Sequence, residues 1–191
     1  MRKGYMYITS TGYDPEKGKS LNDPTFGPRP TLGACMTNIR SWVAPGDEIF
    51  FVSGKVPGVA QFVIGGFAVD EKINAMTAYR TLPHHRLRLN SKGKLVGNII
   101  VDSTGQQHYL DTHESASFSS RIENYIIGRD PVVLTLPYEM QRGRDETPYF
   151  LRQLFRKNGA NPIDIMGRAS KLDEQQLKEV REWLFLIKDG H

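Results

Sequence analysis

The sequence predicts an α+β fold: a curled mixed sheet or open barrel, one helix after the first strand, and a helical C-terminal region. Three observations predict it. Strand-like runs recur in the first seventy residues. One amphipathic segment separates the first of them from the rest. From Thr147 onward the apolar period becomes helical.

The elements follow in order. Tyr5 to Thr9 (YMYIT) alternates aromatic and β-branched residues and predicts the first strand. Ser10 to Pro30 has neither a helical nor a strand period. A loop of that length in a compact domain is usually functional or mobile. Thr31 is suited to cap a helix, because its hydroxyl can accept from a free first-turn amide. Leu32, Cys35, Met36, Ile39, Trp42 and Val43 then fall on one helical face. That places Trp42 with the core, while Thr37, Asn38 and Ser41 face elsewhere and Arg40 borders them. Pro45-Gly46 ends the helix.

Glu48 to Ser53 and Ala60 to Asp70 predict two strands joined by GKVPGV. Gly65-Gly66 inside the second implies a bulge or a close approach by another backbone. Asn98 to Asp102 and Gln107 to Leu110 flank a turn and predict a hairpin. Ser117 to Ile127 contains a short helix, and Val132 to Leu136 is a late strand. Phe150 to Phe155 marks one helix, with Gly159 as its stop. Ser170 with Asp173 resembles a capping box ahead of a helix carrying Leu177, Val180, Trp183, Leu184 and Ile187. The expected organisation is one domain over residues 1–145, with a helical extension over 146–191 packed on it.

The 191 residues suffice for a domain with a real core. Hydrophobic content of 39% and charged content of 24% are those of a soluble globular protein. No apolar run approaches the roughly 18 residues that a membrane helix needs. The N-terminal stretch lacks the apolar core of a signal peptide, so a cytoplasmic protein is expected. Cys35 is the only cysteine, which excludes an intrachain disulfide and a thiolate metal cluster. No cofactor and no metal are expected.

The net charge of +4 favours an anionic partner, and its distribution says more. Arg80, Arg86, Arg88, Lys92 and Lys94, with His84 and His85, form a run that no acidic residue interrupts. Such cations neutralise phosphates and release counterions. Tyr79 and Tyr109 are the nearby aromatics on which a base can stack. The plainer alternative is a solvated loop between strands. Phosphate-cradling glycine loops, GxSxG, HExxH and CxxC are all absent from the sequence. The Cys35 thiol sits near the expected helix start, where its pKa can fall, but it also lies on the apolar stripe.

Four elements together carry a family resemblance. They are the YMYIT strand, Gly12-Tyr13-Asp14-Pro15, Thr31-Leu32-Gly33-Ala34-Cys35 with Ile39-Arg40, and Gly46-Asp47 before a strand. This pattern resembles the nucleotide modification associated domain family, second type. Asn98-Ile99-Ile100, the Ser115 to Ser120 region and Pro131 to Leu134 resemble its second half. The resemblance spans roughly residues 5–140. Met36 stands where that family has the second cysteine of a doublet, the first loop differs in spacing, and the last part of the chain has no counterpart.

The layout is also similar to the PUA-like group, which includes EVE, ASCH and YTH domains. The resemblance implies a non-catalytic reader of modified bases, or of DNA or RNA containing them, with a pocket between the first helix and the sheet. Thr37, Asn38, Arg40, Tyr79, Tyr109 and His113 are its expected base-binding residues. Arg80, His84, His85, Arg86, Arg88, Lys92 and Lys94 are its expected phosphate-binding residues. The alternatives are an ASCH-like hydrolase using Cys35, His113 and Asp111, and a protein-interaction module docking on a partner or a second copy through the Trp183–Leu184 helix.

Overall fold

The computed structural model describes residues 3–190. In chain order its elements are β1 (Gly4–Gly12), β2 (Thr31–Leu32), α1 (Thr37–Trp42), β3 (Glu48–Gly54), β4 (Val63–Ile73), α2 (Ala75–Thr81), β5 (Arg88–Leu89), β6 (Leu95–Val96), α3 (Phe118–Ile122), β7 (Tyr125–Val133), α4 (Pro137–Phe155), α5 (Pro162–Met166), β8 (Ala169–Leu172) and α6 (Glu174–Lys188). The expected α+β class holds. Six strands form one mixed sheet in the order β2-β7-β4-β3-β1-β8, and β5 pairs with β6 apart from it. The chain divides into two compact units. Unit 1 holds residues up to Leu21, Gly46–Ala68 and Asp130 onward; unit 2 holds Asn22–Pro45 and Val69–Arg129. Both β4 and β7 contribute residues to each unit. The boundary expected at residue 145 falls inside α4.

In unit 1, β1 runs parallel to β3 and antiparallel to β8, with Gly4 opposite Glu48 on one side and Leu172 on the other. All seven residues of β3 are buried, which explains its continuous apolar run in place of alternation. The Gly65-Gly66 pair does what its position in a strand implied. Gly65 has φ +140°, and a Cβ there would lie 2.1 Å from the Val132 carbonyl oxygen. The register of β3 against β4 shifts between Phe51 and Val52, opposite this approach.

Two helices cover unit 1. α4 starts at Pro137, ten residues before the expected start, because proline at N1 and the Glu139 carboxylate cap its first turn. Glu139 accepts the Thr135 and Leu136 amides at 2.7 and 3.0 Å. The stop is Arg156 in a left-handed conformation, ahead of Gly159. Asp173, not Ser170, caps α6, and Gln176 completes the box. Leu177, Val180, Leu184 and Ile187 are its buried stripe. Trp183 stacks on Phe150 of α4, with ring centroids 4.3 Å apart and planes at 6°.

Unit 2 has its own core. Ala75, Ala78 and Leu82 of the α2 segment pack with Ile99, Val101, Tyr125 and Ile127, and Phe118 and Ile122 of α3 join from one side. β2 pairs antiparallel to β7 through Thr31–Ile127 and Leu32–Ile126. The expected hairpin after Asn98 reduces to a single bridge, Val101 to Gln107. Asp102 closes the intervening turn instead, accepting from the Thr104 amide and hydroxyl at 2.8 and 2.7 Å. The late strand starts at Tyr125, earlier than expected.

Candidate functional site

Every base-binding, phosphate-binding and catalytic candidate from the sequence lies in unit 2, whereas the Trp183–Leu184 helix belongs to unit 1. Unit 2 carries ten Lys and Arg against seven Asp and Glu, and four of the five histidines.

The centre of unit 2 is a buried carboxylate. Asp23 Oδ1 accepts the Gly33 amide at 2.8 Å, and Oδ2 accepts the Ala34 and Cys35 amides at 2.9 and 2.5 Å. Three consecutive N–H groups thus converge on one anion. Gly33 has no room for a side chain, since a Cβ would lie 2.2 Å from the Tyr125 ring. The Asn98 amide donates to Asp23 Oδ1 at 2.8 Å and to Thr31 Oγ1 at 2.9 Å. Its oxygen accepts the Tyr125 hydroxyl at 2.7 Å. Burial pushes the Tyr125 phenol well above its ordinary value, so it is a donor at any physiological pH.

This network corrects the expected helix over Thr31 to Val43. Thr31 and Leu32 are strand, residues 33–36 wrap the Asp23 carboxylate, and the helix is only Thr37–Trp42. Thr31 is therefore no helix cap. Its hydroxyl bonds to Thr25 at 2.7 Å and lies 3.3 Å from His85 Nδ1. Met36 takes the cap position with φ +57°, a left-handed conformation unusual for a non-glycine residue. A β-branched residue and a three-amide turn around a distant carboxylate win over local helix periodicity.

Arg40 also differs from expectation. It is fully buried. Its Nε donates to the Cys35 carbonyl at 2.7 Å and its Nη2 to the Ala34 carbonyl at 3.2 Å. Its Nη1 donates to the carbonyls of Arg121, at 2.8 Å, and Asn124. Burial pulls its pKa down, and the Asp23 charge opposes that shift. A guanidinium committed to four carbonyls is a clamp on two chain segments and not a ligand contact.

The outward side of α1 is different. Ile39 is buried with Arg40, but Asn38 and Ser41 are exposed and Trp42 is 52% exposed. Trp42 therefore does not join the core as the stripe implied. It follows Asn38 by four residues, so the two share a helix face. Lys72 donates to the Ser41 and Val43 carbonyls at 2.8 and 2.9 Å and closes the C-terminal end of α1. Thr37 is half-buried.

The basic run is displayed by α2, a turn over Pro83–His85, and the β5–β6 hairpin. Arg80, His84, Arg88, Lys92 and Lys94 are exposed. Arg86 is half-buried: it lies 4.0 Å over the Tyr79 ring and donates through Nε to the Tyr79 carbonyl at 2.9 Å. Tyr79 packs on the core and Arg86 covers a face of its ring, so it is a poor stacking platform. Burial lowers the His85 pKa, with His84, Arg29 and Arg88 adding to the effect, so its imidazole is neutral at pH 7.

Tyr109 is 86% exposed and stacks on His108 with centroids 4.7 Å apart. Asp111 Oδ1 lies 2.5 Å from His113 Nδ1, and the Asp111 side chain is buried. Gln107 donates to Asp111 Oδ2 and to the His113 carbonyl, both at 2.8 Å. Asp111 and His113 are therefore an oriented pair. Cys35 is held elsewhere in unit 2, through its amide on Asp23. Among the described residues no group of three or more His, Cys, Asp or Glu is placed to hold a metal ion, and no helix is long and apolar enough to cross a membrane.

Sequence reasoning missed Asp23, Arg121 and the exposure of Trp42. Arg121 donates to the Ala34 carbonyl at 2.8 Å and supports the same turn as Arg40. The one available signal was Asn98 in an otherwise apolar segment, which implied a buried polar partner. No family model, curated protein or solved structure matches the chain.

Proposed function

We propose that unit 2 binds nucleic acid and selects segments that carry a modified, accessible base. The observation that carries this reading is the run from Arg80 to Lys94. Five of its basic or imidazole side chains are exposed and no acid interrupts them. Trp42, half exposed, and Tyr109, with one ring face on His108 and the rest at the surface, are the aromatics offered for stacking, and Asn38 supplies both a donor and an acceptor for a base edge. The resemblance to base-modification-associated domains points the same way. The reading moves base contact to the outward face of α1, because Arg40 and Ile39 are part of the packed interior.

A second reading rests on the oriented Asp111–His113 pair, whose geometry is that of a general base and its orienting carboxylate. One experiment separates the two. Anisotropy titrations use matched plain, methylated and hydroxymethylated oligonucleotides, single- and double-stranded, at two salt concentrations. The products are then weighed by mass spectrometry. Salt-dependent, modification-selective binding with intact products is expected. Altered products that vanish in His113→Ala would move the assignment to the enzyme. Absence of binding at low salt would overturn the reader.

A further inference from the structure

Unit 1 contains a cationic hollow that plays no part in the proposal above. It has a volume of about 230 Å³ and lies where β1 and β3 end beside α5 and β8. Lys55 and Arg168 line it, with Ser10, Gln61 and Ile163, and no carboxylate is among its lining residues. Arg168 is pre-oriented. Its Nε donates to the Tyr7 hydroxyl at 3.4 Å and its guanidinium lies 5.4 Å over the Tyr7 ring. Its two terminal nitrogens have no partner among the described residues, and neither has Lys55 Nζ or the Ser10 hydroxyl. A guanidinium fork, an ammonium and a hydroxyl around one hollow form the donor set of a phosphate.

A second hollow of about 550 Å³ shares Lys55 and Gln61 with the first. Its walls include Pro57, Pro148 and Pro162, and it is mainly apolar. Gln61, fixed by its amide on the Ser53 carbonyl at 2.7 Å, stands where the two meet. A cationic end continuing into an apolar one matches a phosphate that bears an organic group, more closely than it matches free phosphate.

We infer that unit 1 binds a small phosphate monoester, with the phosphate between Lys55 and Arg168 and its organic part along the proline-lined hollow. Free mononucleotides and 5′-phosphorylated oligonucleotide ends present the same chemistry.

The test is calorimetry and amide-shift NMR on the whole protein with inorganic phosphate, adenosine, adenosine 5′-monophosphate, and a short oligonucleotide with or without a 5′-phosphate. The monophosphate should bind more tightly than phosphate, adenosine should not bind at this site, and shifts should centre on Ser10, Gly54 and Lys55. Lys55→Gln and Arg168→Gln should each weaken monophosphate binding by roughly tenfold, whereas Lys92→Gln/Lys94→Gln should leave it unchanged. A 5′-phosphate that strengthens oligonucleotide binding through Lys55 identifies a strand end as the ligand, whereas an oligonucleotide indifferent to its 5′-phosphate identifies the free mononucleotide. Unchanged affinity in both Lys55→Gln and Arg168→Gln, or loss of binding in the Lys92/Lys94 variant instead, would overturn the site. Failure of the oligonucleotide titrations with unit 2 leaves this result intact, because different residues carry it.

Discussion

Asn98 donates to the Asp23 carboxylate through a buried 2.8 Å hydrogen bond between residues 75 positions apart. That bond ties the first loop to the middle of the chain. It also places the Gly33–Cys35 turn, and with it α1. The Asp23 side chain should therefore matter for stability before it matters for binding. Asp23→Ala would leave the Gly33, Ala34 and Cys35 amides, the first two of them buried, and Asn98 without their acceptor, a loss expected to cost about 3–5 kcal/mol. Urea unfolding with an Asp23/Asn98 double-mutant cycle checks this, with a coupling of about 0.5–3 kcal/mol expected. Additive single effects would remove the pair from the centre of unit 2.

Arg40→Lys keeps the charge but cannot reach four carbonyls with one ammonium. Stability should fall by about 2–4 kcal/mol, while the folded fraction keeps its nucleic-acid affinity. If affinity per folded molecule drops and stability does not, Arg40 is a ligand contact after all.

His85 gives a pH signature. Its folded pKa lies below the ordinary 6.5, because burial and neighbouring cations disfavour the imidazolium. Below pH 6.5 the unfolded chain therefore takes up this proton first. The contribution is complete above pH 6.5 and is lost as pH falls toward the folded value. Melting temperature should drop less between pH 7.5 and 5.5 in His85→Gln than in the parent protein. Parallel profiles would contradict this.

Trp42 can report directly on ligands. In a Trp183→Phe background its fluorescence should be quenched by bound oligonucleotide. Trp42→Ala should weaken binding by about 1–3 kcal/mol per folded molecule. An emission spectrum indifferent to bound oligonucleotide would remove Trp42 from the interface.

Lys92→Gln/Lys94→Gln should weaken binding to plain and modified single strands alike. The slope of log affinity against log salt should become shallower by about 1.4, the value for two lost phosphate contacts. Preserved slope would place the phosphates elsewhere.

Much of the scaffold was legible in the sequence. The β1, β3 and β4 runs carry their burial in local pattern, and Gly65-Gly66 announced a close backbone approach that Val132 supplies. The site was less legible. Thr31 suits a helix cap or a strand equally well, and only the distant Asp23 and Asn98 decide between them. Once residues 33–36 are taken up by that turn, α1 is too short for the assumed stripe. Ile39 and Val43 then set its buried side, and Trp42 falls one position off it. Arg40 looked like a ligand group because its four carbonyl partners include two more than eighty residues away.

The division of the chain also orders events during synthesis. A ribosome that has released residue 129 has delivered every residue of unit 2. At that moment unit 1 lacks β8, so one edge of β1 is still unpaired, and α4 and α6 do not yet cover its sheet. Unit 2 can therefore gather its core while unit 1 still waits for α4, β8 and α6. No single cut in the chain yields either unit whole. Fragment expression should accordingly recover unit 2 only as two pieces, residues 22–45 and 69–129, joined by a linker in place of residues 46–68.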